Sequence, residues 1–291
     1  MSEMKGRVCI VTGSNSGMGK ETAMALANMD ATVVMTVRSQ ERGEKALKEV
    51  IDKTGTQSTV LMICDMSSAG SIRKFAKEFA EKYEKLDVLI NNAGAVFSKR
   101  QTSVDGFELT LAVDYLGPFL LTHKLLPSLK SSAPSRIINI ISGLYKLGRI
   151  DLDDLQNEKN YRGFSYRRAN SYANAKLMLI MFTYELARRL QGTGVTVNAV
   201  QPGLVATNLG KNSGSRIQSF MFMMMRPFLI SPKKGAETAV YLASSHEVEG
   251  VTGKCFSKLK ETSTTPITYD QQAQKSLWDA TAKMLGLTTE S

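Results

Sequence analysis

Residues 8–19 read Val8-Cys9-Ile10-Val11-Thr12-Gly13-Ser14-Asn15-Ser16-Gly17-Met18-Gly19. The first four are apolar and mostly β-branched, as a strand buried on both faces of a parallel sheet should be. Gly13, Gly17 and Gly19 then follow in the pattern Thr-Gly-x-x-x-Gly-x-Gly, and the spacing predicts a helix from Lys20 to Met29. Glycines there let the backbone turn sharply and approach a ligand, while the positive end of the helix dipole suits a diphosphate. A glycine-rich stretch alone is more often a turn than a site. The strand–turn–helix order is what gives Gly13, Ser14, Asn15, Ser16, Gly17, Met18 and Gly19 a phosphate-cradling role.

The same alternation runs outward through the chain. Strands are predicted at Ala31–Val37, Thr59–Ile63, Leu86–Ile90, Arg136–Ile141, Gly194–Val200 and Gly253–Ser257. Helices are predicted at Glu41–Thr54, Ser67–Glu84, Val104–Leu129 (bent near Gly117 and Pro118), from Ser171 through Leu190, at Lys233–Ser245 and at Gln271–Leu285. Strand and helix in alternation with short connections imply an α/β fold. Its core is a Rossmann-type, doubly wound parallel sheet of about seven strands with helices on both faces. The 291 residues fit a single domain. Residues 1–200 are expected to carry mainly the cofactor-binding sheet, and 201–291 a substrate lid, the last strand and the C-terminal helix. Ligands of such sheets bind beyond the carboxyl ends of the strands, where the unusual residues fall.

The second strand ends in Val37-Arg38-Ser39. An acidic residue there would bind the ribose hydroxyls of NAD; Arg38 can instead pair with a 2′-phosphate, so NADP(H) is expected over NAD(H). The other polar constellation is Ser171-Tyr172-Ala173-Asn174-Ala175-Lys176, which opens the apolar-periodic helix. Residues four apart share a helix face, and an ammonium near a phenol stabilises the phenolate. A tyrosine so placed becomes a better proton carrier at neutral pH. Taken alone, Tyr-x-x-x-Lys is more often an accident of a surface helix.

Composition excludes several classes. The formal charge of +10 is spread along the chain and interleaved with acids, so no nucleic-acid partner is expected. Cys9, Cys64 and Cys255 are isolated, an odd number without metal spacing. No metal site or disulfide framework is expected. With no signal sequence or apolar span in view, the expected location is cytoplasmic. His123 and His246 sit in no nucleophile context. Ile217, Phe220, Met221, Met224, Met225 and Phe228 recur at helical spacing, a methionine-rich face with three readings. It packs on the core, closes as a lid over a lipophilic substrate, or contacts a membrane surface peripherally.

Thr12-Gly13-x-x-x-Gly17-x-Gly19, Asp65, Asn91-Asn92-Ala93-Gly94, Ser142, Tyr172-x-x-x-Lys176 and Pro202-Gly203 stand in the order and spacing of the short-chain dehydrogenase/reductase family. The chain resembles that family along nearly its whole length. Asp105-Gly106-Phe107-Glu108, Leu116–Thr122 and Phe182–Leu190 are most similar to its retinol-dehydrogenase-like members. The resemblance implies an oxidoreductase in which Tyr172 moves a proton at the substrate oxygen. Lys176 would assist the phenol and hold the nicotinamide ribose, and Ser142 would donate a hydrogen bond to the oxygen. It further implies that Asp65 and Met66 lie at the adenine, and Asn91, Ala93 and Gly94 along the cofactor. Pro202, Gly203, Val205 and Thr207 would then lie toward the carboxamide. Members of the family often form a homodimer through the two long helices, while lipophilic-substrate members vary, so the resemblance leaves a homodimer as one of the assemblies open to this chain. The substrate expected is a small lipophilic alcohol or carbonyl, and the rival reading is a silent NADP-binding sensor or scaffold of the same fold. One departure stands out: where the family has Asn as its fourth catalytic member, this chain has Asp114, in Val113-Asp114-Tyr115-Leu116-Gly117. A carboxylate there is expected to retain the main-chain role while biasing Lys176.

Overall fold

Short β-branched runs become the strands β1 (Val8–Thr12), β2 (Thr32–Val37), β3 (Thr59–Ile63), β4 (Val88–Asn91), β5 (Ser135–Ile140), β6 (Val195–Val200) and β7 (Lys254–Ser257). The computed structural model of the protein describes residues 4–159, 161–163, 170–206 and 229–288. The sheet order is β3-β2-β1-β4-β5-β6-β7, all parallel. An eighth strand, β8 (Lys260–Glu261), turns back antiparallel on β7 at the edge. The expectation of about seven strands is thus extended by one too short to carry a period-2 signal. The strand order reverses between β1 and β4, which opens a crevice at their carboxyl ends.

Alternation along each strand feeds two apolar layers. Cys9, Val11, Val33, Met35, Val88 and Ile90 face one layer, with α1 (Gly17–Asn28), α2 (Gln40–Thr54) and α7 (Pro232–Ser244). Ile10, Val34, Leu89 and Ile137 face the other, with α3 (Ala69–Lys82), α5 (Gly117–Ser131), α6 (Ser171–Arg189) and α8 (Gln271–Met284). Helix α6 is buried from Ser171 through Ala187, so its apolar residues point every way rather than along one stripe. Trp278 of α8 lies 4.8 Å from the Phe119 ring and 5.7 Å from that of Phe182. No helix among the described residues is long and apolar enough to cross a membrane.

The predicted helix Val104–Leu129 needs correction at its start. Ser103–Phe107 form a turn with Gly106 at φ +83°, closed by a bridge between Thr102 and Glu108. The helical rod begins only at α4 (Leu109–Leu111), where the Glu108 carboxylate accepts the Thr110 and Leu111 N–H groups at 3.0 and 2.7 Å. Ala112–Leu116 then form a π-helical turn, and Pro118, which has no N–H to offer that turn, follows at the second position of α5. The excursion between β5 and α6, residues 143–170, is held by hydrogen bonds where it is described. Asn174 accepts the Arg149 N–H at 2.8 Å and donates to Asn157 at 3.1 Å, and Tyr145 is buried. The methionine-rich face, Ile217 to Phe228, lies outside the described residues.

A buried polar chain locks the helices onto the sheet. Asn91 of β4 donates to Thr122 of α5 at 3.0 Å and to Asn139 of β5 at 2.8 Å. Asn139 donates in turn to Thr183 of α6 at 2.9 Å. Breaking this chain strands buried polar atoms. Asn139→Ala is expected to lower stability by about 2–3 kcal/mol, seen as a lower urea midpoint at unchanged m-value.

Candidate active site

The carboxyl ends of the strands surround a cavity of about 790 Å³. Gly13, Asn15, Ser16, Gly17, Met18 and Gly19 from the glycine-rich turn line one side, with Arg38 after β2 and Asp65 and Met66 after β3. Ala93 and Gly94 after β4, Ser142 after β5, Tyr172 and Lys176 on α6, and Pro202, Gly203 and Val205 after β6 complete the set brought together. Three predicted residues are not in the wall. Ser14 is turned inward, its hydroxyl donating to the Thr36 carbonyl at 3.4 Å. Asn91 belongs to the polar chain beneath the site. Asp114 stands behind Lys176. Thr207 lies outside the described residues.

The turn is built for close approach. Gly13 and Gly17 have φ of +65° and +57°, the left-handed region that favours glycine. A Cβ on Gly13 would fall 2.8 Å from the Ala93 Cα, so no larger residue fits between the two loops. The turn after β4 is fastened to β1 by Thr12, whose hydroxyl accepts the N–H groups of Asn92 and Ala93 at 2.9 Å each. Helix α1 starts at Gly17 with no side-chain cap and no acidic residue in its first turn. Its leading amides therefore face the cavity with their partial positive charge available to an anion.

The cavity's two ends differ in chemistry. Arg38, Arg42 and Lys45 line the end beyond β2, and none is in an ion pair among the described residues. Lys20, also there, is taken up by Glu49 at 2.6 Å. Hydrogen bonds from Lys20 and Lys53 hold the Glu49 carboxyl down at about 2, so it stays ionised. The other end is apolar, with Val96, Val113, Ile141, Leu144, Leu204 and Leu229 around Ser142 and Tyr172. Arg42 and Lys45 were missed in the sequence, although their spacing of three on a predicted helix, four and seven after Arg38, was a usable signal. Asn92 and Gln201, also in the wall, were missed as well.

Asn170 caps α6 by accepting the Ala173 N–H at 3.0 Å, which fixes where Tyr172 and Lys176 emerge. Both side chains are almost fully buried, and the Lys176 Nζ lies 5.7 Å from the centre of the Tyr172 ring. That amine donates to the Ile140 carbonyl at 3.1 Å and pairs with Asp114 Oδ1 at 3.0 Å. Asp114 is wholly buried, and its Oδ2 accepts the Ala95 N–H at 3.1 Å. Burial pushes its carboxyl above the ordinary carboxylate range, opposed by the Lys176 charge and the Ala95 amide. The Ser142 hydroxyl accepts the Leu144 N–H at 3.3 Å, which leaves its own proton free to donate. A hydroxyl, a phenol and an ammonium thus converge at the apolar end, a set suited to moving a proton at a polarised oxygen.

Two family models match the chain: short chain dehydrogenase over residues 7–151 and Enoyl-(Acyl carrier protein) reductase over residues 161–257. Retinol dehydrogenase 13 of Mus musculus is 40% identical over 97% of this chain and 84% of its own length. Retinol dehydrogenase 14 of Homo sapiens is 40% identical over 98% of this chain and 88% of its own. Among solved structures, an uncharacterized protein from Mycobacterium paratuberculosis superposes with a TM-score of 0.78 at 27% identity, over 98% of this chain and 95% of that one. With matches of this extent laid over the sheet, the glycine turn and the Tyr-x-x-x-Lys helix, the chain belongs to the short-chain dehydrogenase family of oxidoreductases.

Proposed function

We propose that the protein is an NADP(H)-dependent oxidoreductase that interconverts a lipophilic alcohol and its aldehyde or ketone. The observation that carries the reading is one cavity with a cationic end, an uncapped helix N-terminus midway and a Ser142–Tyr172–Lys176 cluster at its apolar end. The residues present fit a nicotinamide dinucleotide. The glycine turn and first amides of α1 would take the diphosphate, Arg38 and Arg42 the 2′-phosphate, and Asp65 and Met66 the adenine. Ala93, Gly94, Pro202, Gly203 and Val205 would follow the remainder toward Tyr172. A cavity of about 790 Å³ is of the size such ligands occupy. The cofactor, when bound, gives or takes the hydride.

In the reducing direction Tyr172 Oη delivers its proton to the carbonyl oxygen as the carbon–oxygen double bond becomes single. Ser142 donates a hydrogen bond to the same oxygen, aimed where negative charge develops. Lys176 donates one proton to Ile140 and is ion-paired with Asp114, and its remaining donor capacity would serve a ribose hydroxyl. Oxidation runs the steps backwards, with Tyr172 as the phenolate that accepts the alcohol proton. The apolar end supports a hydrophobic substrate such as a retinoid, a steroid or a fatty aldehyde, as the names of the retinol dehydrogenase relatives also suggest. Residues after 201 would close over that substrate.

Tyr172→Phe is expected to cut NADPH-dependent turnover of apolar aldehydes by roughly 10²–10⁴-fold, with NADPH affinity, followed by cofactor fluorescence, unchanged. Loss of binding together with turnover would argue against the assigned role. Parent protein that binds NADPH yet turns over no member of a carbonyl panel would instead be a silent sensor. Removing the cationic end with the double change Arg38→Ala and Arg42→Ala is expected to weaken NADPH binding by roughly 10- to 100-fold, while NADH binding stays as it was. Equal loss for both cofactors would contradict the preference.

A further inference from the structure

The donors and acceptors around Lys176 and Asp114 fix their charges. The Lys176 amine faces two acceptors, the Ile140 carbonyl and Asp114 Oδ1. Asp114 faces only donors among the described residues: the lysine at Oδ1 and the Ala95 N–H at Oδ2. The Lys176 charge and the Ala95 amide both favour the bare carboxylate, while that carboxylate and the Ile140 carbonyl both favour the charged amine. The pair is therefore an ammonium and a carboxylate, together neutral. Space for it is specific: a Cβ on Gly94 would lie 2.7 Å from Asp114 Oδ1 and 3.6 Å from Lys176 Nζ. The π-helical turn that displays Asp114 is tied down next door, where the Tyr115 hydroxyl meets Thr281 of α8 at 2.7 Å.

We infer that Asp114 is a built-in counter-ion that cancels the Lys176 charge beside Tyr172 and so favours the protonated phenol, the form that reduces a carbonyl. The inference rests on the reading of Tyr172 as the proton carrier. With an amide at 114 the ammonium would act on the phenol unopposed and favour phenolate, the form that oxidises an alcohol. Asp114 is absent from the cavity wall and acts through Lys176, so it is a positioning residue rather than a catalytic one.

Other ionisable groups surround the pair. Glu108, which caps the same helical rod, spends its carboxylate on two backbone amides, and burial raises it above the ordinary carboxylate range. Tyr161 of the excursion neighbours Glu108, and Tyr115 is turned to Thr281. Tyr145 and Lys146 lie on the short helix after Ser142. Cys64 and Asp65 line the same cavity, with burial pushing the Cys64 thiol up to about 12.

The test is the pH dependence of kcat/KM for reduction of an apolar aldehyde by NADPH and for oxidation of the matching alcohol by NADP⁺. For the parent the alkaline limb of reduction is expected well above neutrality, in the ordinary phenol range. In Asp114→Asn both the fall of reduction and the rise of oxidation should move to lower pH by roughly one unit. A purely structural role would scale both rates and leave the limbs in place. A parent limb near neutrality, which needs no variant to be measured, would overturn the inference, as would unmoved limbs in Asp114→Asn. Binding of NADPH by the parent without turnover would remove the reading beneath it, and the inference with it; turnover with fixed limbs removes the counter-ion alone.

Discussion

A buried ammonium has to be held from several sides at once, and the site depends on that constraint. Lys176 reaches its partners across three separate elements: the end of β5 through Ile140, the π-helical turn through Asp114, and its own helix beside Tyr172. An uncompensated charge in such a place costs several kcal/mol. The register of α6 against β5 and against the rod Leu109–Ser131 is therefore set by electrostatics as well as by packing. Gly94 completes the arrangement by leaving room for the ion pair against the loop that lines the cavity.

The layers beneath keep that geometry rigid. The chain Asn91–Asn139–Thr183, with its branch to Thr122, joins two strands to α5 and α6 in an otherwise apolar interior. Trp278 seats α8 on the far side of α6, with the Arg189 guanidinium 4.1 Å from its ring. Asn174, in the first turn of α6, pins the excursion through Arg149 and Asn157. Tyr172 and Lys176 thus sit on a helix fixed at both faces, while the cationic end of the cavity rests on exposed side chains of α2 and on Arg38, two residues before it, which form no ion pair among the described residues.

Much of this was legible in the chain. The β-branched runs ending in Thr12-Gly13, Val37-Arg38 and Asn91-Asn92 marked strands whose carboxyl ends carry the site, because burial on both faces leaves little else such runs can be. The start of the rod was misplaced because Val104, Phe107 and Leu111 continue a helical spacing through what is a turn. Gly106 and the capping carboxylate of Glu108 were the signals that mattered there. Asn91 was assigned with its motif, but as the last residue of β4 it points toward α5 and leaves the wall to Asn92. Ser14 was likewise counted with its turn, though its hydroxyl is spent on β2. The Asp114–Lys176 contact joins distant parts of the chain through a π-helical turn that has no sequence period of its own.

The central claim is that a nicotinamide held at the apolar end passes hydride to a carbonyl carbon while Tyr172 protonates the oxygen. Mass spectrometry of the alcohol formed from an apolar aldehyde, with NADPH deuterated at one or the other C4 position, tests it most directly. The account predicts that deuterium enters the product carbon from one of the two labelled cofactors and not from the other. Product formed without label from either would contradict it.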